Sequence, residues 1–417
     1  MVLVAALALA AGCGETKTSD RTPGTPAGSQ ATPPKPAESA ARPWETDPNL
    51  TKKAVDGPEV LIGLACPLSG NQKEYGVTIE GGVNLAVEQL NADGGISIQG
   101  GPKKKVRIVA ADDEASPDKA LLAAQSLIDN PGIAVVIGHF NSSCSLAAQE
   151  KYARAGMVEF SPGSTNPDLC KKSRWTFRNI FNDTIQGQYW AQYFKNTMQF
   201  DRVAVISAED DYGEGLSKVF TAECARLGVK VVAQTTCDAT TQDYKTLVKG
   251  LLDAKPQAIF IADTYARGAI IIKTARELGV GDDILLCGSD GCFDAGLIKN
   301  AGKDAEGCLI TMPLDIESSD PAVQKFVASY RKLNGGDPDA WAAYSYDATL
   351  LIAQTIAKVG NDGKAVREAL EQINSPAKAY HGVTGATYFD TNGDCQKPFT
   401  IGIVRNGQIV GARKKGK

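Results

Sequence analysis

Hydroxyl side chains that follow short apolar runs are the residues of this chain best placed to do chemistry. In V-V-I-G-H-F-N-S-S (Val135–Ser143) and V-E-F-S-P-G-S-T-N-P (Val158–Pro167) an apolar strand stops at Gly, Ser, Thr or Asn. Ser142 and Ser143 stand where a strand gives way to a helix. The first N–H groups of a helix lack intrahelical acceptors and favour an anion such as a carboxylate. The plainer reading, that Ser142 only N-caps its helix, stays open beside this one. Ser164 and Thr165 bring further hydroxyls to a second strand end, where ordinary turn chemistry is the alternative. Asp290, in L-L-C-G-S-D-G, follows an apolar run and is an acid suited to an ammonium group or to a turn. Tyr75 and Tyr212 each precede a glycine at a helix start. Together these residues suggest a site that grips a small charged molecule.

Catalytic equipment is sparse. The chain has two distant histidines, His139 and His381, so it carries no HExxH zinc motif and a Ser-His-Asp triad is not expected. No G-x-G-x-x-G follows the first strand. A metal site and a cofactor are not expected. The net charge of −4 gives no electrostatic reason to expect nucleic acid.

The elements that must position these residues alternate. Val60–Ala65, Val106–Ala111, Ile133–Ile137 and Met157–Phe160 read as strands. Between them Tyr75–Asn91, Ser116–Asp129 and Ser142–Ala155 read as helices, the second opening with a Ser-Pro pair. The rhythm restarts with a helix over Thr184–Thr197 and strands at Arg202–Ser207, Val229–Ala233, Ala258–Ala262 and Ile284–Cys287. The helices of this second series are Gly213–Leu227, Tyr244–Ala254 and Ala266–Leu278, two of them stopping at a glycine. Pro321 to Asn374 is mainly helical, and Phe399–Val410 reads as a hairpin about Asn406-Gly407. Apolar strands alternating with amphipathic helices predict an α/β protein with parallel sheets covered on both faces. At 417 residues, 43% hydrophobic and 22% charged, two lobes of ordinary size are expected.

The first twelve residues are almost wholly apolar and end L-A-A-G-C at Cys13. That run has the length of a signal-peptide core and is too short to span a bilayer. It resembles the lipobox of bacterial lipoproteins, which implies lipidation of Cys13. Residues 14–57 are rich in Pro, Thr, Ala and Ser, and read as a disordered tether. Nine further cysteines show no CxxC spacing, and an exported chain favours disulfides. Cys144 with Cys170 is one candidate bridge, and Cys308 with Cys287 or Cys292 another; spacing does not fix the pairing.

Seven segments in order carry a resemblance that spans Glu59 to Val410. They are I-G-L-A-C-P-L-S-G with the following Y-G, L-N-A-D-G-G-I, A-D-D-E-A-S-P, V-I-G-H-F-N-S-S, S-P-G-S-T-N-P, D-Y-G-E-G-L and A-E-G-C-L-I-T-M-P. The chain resembles the substrate-binding proteins of branched-chain amino acid ABC transporters, the Leu/Ile/Val-binding family of type I periplasmic binding proteins. The resemblance implies two Rossmann-like lobes with parallel sheets, joined by a three-crossover hinge. It implies a first lobe of residues 58–182 plus 314–393 and a second of 183–313 plus 394–417. It implies that Ser142 and Thr165 hold the ligand's α-carboxylate and α-ammonium, and that Ser164 contributes backbone groups. Asp290 matches the acid that pairs with the ammonium, where the Leu/Ile/Val binders carry Glu. Tyr75 matches an aromatic wall of the side-chain pocket, and Tyr212 a tyrosine that closes over the ligand.

This chain departs from the family pattern at three places. Thr264 replaces a cleft tyrosine, Phe140 and Asn141 replace an aliphatic residue and a half-cystine, and Ala115 replaces that half-cystine's partner. The implied partners are an amino acid, ABC permease subunits and a membrane reached through the lipid anchor, around a monomer in the periplasm or at the cell surface. Leu, Ile and Val lead as ligands, with another α-amino acid or a small amide left open by the changed wall. A ligand-sensing receptor domain of the same fold is the alternative function. An enzyme is disfavoured for want of a nucleophile–base set.

Overall fold

A computed structural model describes residues 46–412. The signal-peptide and lipobox reading around Cys13 lies outside them. Twelve residues of the expected tether lie within, and its last part is not loose. Lys52 N–H donates to Gly156 O, Val55 N–H to Pro131 O, and Thr51 Oγ1 to Asp362. The backbone donors of this segment thus find loop acceptors on the first lobe, a gain that composition alone does not reveal.

Two sheets organise the chain. Strands β1 (Glu59–Cys66), β2 (Ile96–Ser97), β3 (Lys103–Asp112), β4 (Val135–Gly138), β5 (Val158–Ser161) and β6 (Thr176–Arg178) form the first, in the order β2-β3-β1-β4-β5-β6. All its pairs are parallel except β2 with β3. Strands β7 (Arg202–Ala208), β8 (Lys230–Cys237), β9 (Ala258–Ala262), β10 (Leu285–Gly288) and β11 (Leu309–Met312) are the parallel part of the second. A small hairpin, β12 (Tyr380–Gly382) with β13 (Gly385–Thr387), stands apart. Strands β14 (Thr400–Arg405) and β15 (Gln408–Gly411) add an antiparallel edge, giving the order β15-β14-β11-β10-β9-β7-β8. Their turn places Asn406 and Gly407 at positive φ (53° and 72°), as an Asn-Gly hairpin turn requires.

β4, β5 and β9 are buried at every residue, which is why they read as unbroken apolar runs rather than alternating ones. The chain passes between the two sheets after β6, after β11 and again before β14. Between the last two passages the long helix Ala340–Val359 packs against Lys73–Ala92 on the first lobe. The two-lobe α/β architecture expected from the sequence is therefore the one observed.

Helix ends follow their residues. Asp210 caps Asp211–Leu227 through Gly213 N–H, and Gly228 closes that helix at φ 73°. The helix predicted over Thr184–Thr197 holds α geometry through Asp183–Gln192 and then widens to a π-turn at Tyr193–Thr197. No helix among the described residues is long and apolar enough to cross a membrane.

Candidate functional site

In both sheets the strand order reverses, between β1 and β4 in the first and between β7 and β9 in the second. Open α/β sheets bind ligands beyond the carboxyl ends of strands at such points. A cavity of about 250 Å³ lies there. Gln72 reaches it from the loop after β1, Ala115 and Pro117 after β3, Phe140 to Ser143 after β4, and Gly163 after β5. Glu209, Asp210 and Tyr212 enter after β7, Thr264 after β9, and Asp290 with Gly291 after β10. Trp341 enters from the first turn of its helix. Hollows of about 850 and 530 Å³ also exist. They lie by the amino ends of β7 and β8 and of β1, where no such reversal gathers loops.

The two sides are bonded together around the cavity. Ser143 Oγ accepts from Asp211 N–H at 3.1 Å, and Asn166 Nδ2 donates to Asp211 O at 2.5 Å. Trp341 Nε1 donates to Phe293 O at 3.0 Å, and Tyr265 OH to Asn71 O at 3.1 Å. Four hydrogen bonds thus hold the two sides together around the cavity.

The hydroxyls of Ser142 and Ser143 are used in one direction. Ser142 Oγ accepts from Asn166 N–H at 3.2 Å, and Ser143 Oγ accepts as described. Each hydroxyl is used as an acceptor, and neither donates to a described residue. The N-cap of helix Ser142–Ala155 is Asn141, whose side chain makes no capping bond. The capping reading of Ser142 is therefore replaced: its helix presents uncapped N–H groups and two free hydroxyl protons. That set suits a carboxylate.

The acid side is a buried relay. Tyr212 OH donates to Asp290 Oδ1 at 2.5 Å, and Gln186 Nε2 donates to the same oxygen at 2.8 Å. Both side-chain donors land on Oδ1, which leaves Oδ2 for another partner. Gln186 Nε2 also reaches Asp183 Oδ1 at 2.8 Å, and its Oε1 accepts from Asp290 N–H. Burial raises the Asp290 carboxyl above its ordinary range, against the hydrogen bonds of Tyr212 and Gln186. Burial, then the Asp290 charge, raises Asp183 well above its own. The side-chain groups that meet Asp290 are hydrogen-bond donors, and none of the residues lining the cavity is a side-chain cation.

Three residues expected in the site are placed otherwise. Thr165 Oγ1 donates to Asp183 Oδ2 at 2.9 Å, so its hydroxyl serves the relay and does not line the cavity. Ser164 has spent its backbone groups: its N–H donates to Ser161 Oγ and its carbonyl accepts from Arg178. Tyr75 is fully buried behind Phe140, with ring centroids 4.5 Å apart. Its hydroxyl donates across the cleft to Gly291 O and accepts from Tyr265 N–H at 3.2 Å, so it is a strut between lobes. Phe140 takes the wall because Gly163 has no Cβ; one built there would stand 2.2 Å from the ring. Asn141, Thr264 and Tyr212 do line the cavity, with Ser142, Ser143 and Asp290.

The candidate disulfides are corrected as well. All nine described cysteines are free and buried. Cys144 neighbours Asp113 and Asp210, whereas Cys170 neighbours Arg178 and Asp394, so the two thiols sit in different surroundings. Cys308, Cys287 and Cys292 are likewise unpaired.

Sequence reasoning missed Gln72, Asp183, Gln186, Trp341 and Arg178. Arg178 is fully buried, and its fork grips Asp394 at 2.7 and 3.0 Å. Its Nη1 donates to Ser164 O and Asn166 O, 2.9 Å each. Asp394 also accepts from Asn182, which caps the helix carrying Asp183 and Gln186. One guanidinium thus ties the Ser164–Asn166 loop to the crossing segments. Only the Asn-Asp-Thr start of that helix, a capping signal, hinted at this arrangement in the sequence.

A family model described as periplasmic binding protein matches residues 59–408. The chain is 29% identical over 342 residues to a Leu/Ile/Val-binding protein homolog of Brucella suis, covering 82% of this chain and 88% of that one. A Pseudomonas aeruginosa protein named for binding leucine, isoleucine, valine, threonine and alanine is 26% identical over 345 residues, 82% of this chain and 89% of that one. Among solved structures, a leucine-binding protein of Thermotoga maritima superposes with a TM-score of 0.78 at 27% identity, over 85% of this chain and 98% of that chain. A Desulfitobacterium hafniense substrate-binding protein in complex with Leu superposes with a TM-score of 0.71 at 28% identity, over 85% and 99%.

Proposed function

The chain belongs to the periplasmic binding protein family, and from that premise we propose that it is an extracytoplasmic solute-binding lipoprotein for a branched-chain or related amino acid, which it delivers to an ABC permease. The family consists of binding proteins, not enzymes. One observation carries the ligand class: Asp290, buried and without a cation, shares a cavity with Ser142 and Ser143, whose hydroxyl protons are unused. A zwitterionic head group answers both needs at once.

In the proposed cycle the first lobe takes the carboxylate on the uncapped start of helix Ser142–Ala155. Closure then brings Asp290 and Tyr212 to the ammonium, and water leaves. Each hydrogen bond to a charged group contributes about 1.5–3 kcal/mol. Four or five of them gross more than the ~8 kcal/mol a micromolar ligand requires, the rest being consumed by closure and lost ligand freedom. Ser142→Ala loses little, because the backbone donors remain. Cys13, at the end of L-A-A-G-C, supports the anchor; mass spectrometry of the mature N-terminus tests it. The amino acids for which the Brucella and Pseudomonas relatives are named support the amino acid class.

Titration calorimetry with the twenty amino acids tests the ligand class. Binding of at least one, lost in Asp290→Ala, is expected. Heat from none of them overturns the proposal.

A further inference from the structure

Once the head-group contacts are assigned, the lining left for a ligand side chain includes Gln72, Phe140, Asn141, Thr264 and Trp341, with the acids Glu209 and Asp210 on the far side. Two of these are amides, and they meet. Asn141 Nδ2 donates to Gln72 Oε1 at 2.8 Å. That bond uses one end of each amide and leaves the other ends over. Asn141 Oδ1 is buried with no partner in the protein. Among the unpartnered buried side-chain atoms of the described residues, it is the one that belongs to this wall. The NH2 of Gln72, a residue 7% exposed, donates to no described residue.

Their mutual bond joins the loop after β1 to the loop after β4, and neither amide makes another side-chain bond among the described residues. Asn141 is an N-cap residue whose side chain caps nothing. Phe140 is wedged between Tyr75 and Trp341, with ring centroids 4.5 and 5.0 Å away, so the aromatic part of the wall is held where it is. A wall made for a hydrocarbon pairs its polar atoms within the protein, because a buried carbonyl without a donor is costly. Here the Asn141 carbonyl is buried and left over, and the Gln72 NH2 is unused by the described residues. A carboxamide offers the matching NH2 and carbonyl; a hydroxyl supplies the donor that Asn141 lacks.

We propose that the ligand is a neutral amino acid whose side chain carries a carboxamide or hydroxyl group, read out by the Gln72–Asn141 pair. This rests on the amino acid reading above and refines its side chain. An aliphatic side chain covers the Asn141 carbonyl with a methyl group and leaves it unpaired. A site built to bond a ligand's OH or NH rejects the analogue that lacks it.

The test uses isosteres, asparagine against leucine and threonine against valine, titrated into the ligand-free protein. At least one polar member is expected to bind about tenfold or more tighter than its hydrocarbon twin. In Asn141→Leu, and separately in Gln72→Leu, that ratio should shrink toward one or invert, with the melting point of the empty protein held as the control for folding. Leucine and valine binding as tightly as asparagine and threonine in the wild type overturns this inference and leaves the amino acid reading standing. An unchanged ratio in both folded variants also overturns it. Silence from all four, and from the rest of the twenty, sinks the amino acid reading and this inference with it. The wild-type ratio decides the matter even where a variant fails to fold.

Discussion

Removing the Asp290 carboxylate should separate ligand affinity from fold stability in opposite directions. In Asp290→Ala a bound ammonium would lie buried with no counter-charge. Breaking a buried pair from one side costs about 3–5 kcal/mol, or roughly two to three and a half powers of ten in Kd. The empty protein should respond otherwise. Burial raises this carboxyl above its unfolded value, so its ionised form opposes folding at neutral pH and the opposition fades as pH falls through the raised value. Deleting it also relieves Asp183, the second acid held by Gln186. The melting point of the empty variant should therefore hold or rise, while stabilisation by ligand, about 2.7 kcal/mol at a hundredfold excess over Kd, disappears. Wild-type affinity should fall with pH, by up to about tenfold per unit below the raised value, since a proton competes with the ammonium. The variant should lose that dependence. Calorimetry at several pH values reads both effects. A loss of affinity under about threefold, some 0.6 kcal/mol, would mean that the ammonium sits elsewhere.

Tyr75→Phe should weaken binding by about 0.5–1.5 kcal/mol through closure alone, because it removes the hydroxyl that spans to Gly291 and Tyr265 without touching the cavity. Small-angle scattering of the empty variant should show a more extended particle; unchanged affinity and shape would contradict the strut. Arg178→Met should cost about 3–5 kcal/mol in urea unfolding, since it strands Asp394 beside two freed carbonyls. A loss below about 1 kcal/mol would show that the fork is dispensable. Glu159 is buried, and burial outweighs the hydrogen bond from Thr176 to lift it to about 8. It therefore makes the wild type lose stability as pH rises from about 4.5 towards about 8. Glu159→Gln should flatten melting temperature against pH over that span, and an unaltered slope would refute the assignment.

The fold was legible because two βα series announce themselves through wholly apolar strands and glycine-ended helices. Strand β9 falls at Ala258–Ala262, and the helix after β4 at Ser142–Ala155, both as read. Cavity residues directly after strands were legible for the same reason, as Ser142, Ser143 and Asp290 illustrate. Thr165, at a strand end, and Tyr75, at a helix start, misled because a hydroxyl at either place can bond within the protein as easily as face the cavity. Only three-dimensional placement shows that Asp183 and Gly291 claim them. Gln72 and Trp341 were invisible since their roles depend on distant chain meeting them, Asn141 for one and the second lobe for the other. The disulfide expectation failed because cysteine count speaks of compartment, not of facing thiols.

The stitching of Thr51 to Val55 onto the first lobe has a mechanical meaning. A pull on the chain upstream of Thr51 would be transmitted to that half alone, through the loops at Pro131, Gly156 and Asp362. One half then behaves as the mount and the other as the jaw. Whatever grasps the leading end would fix the attitude in which the mouth is presented, without loading the swing that opens it.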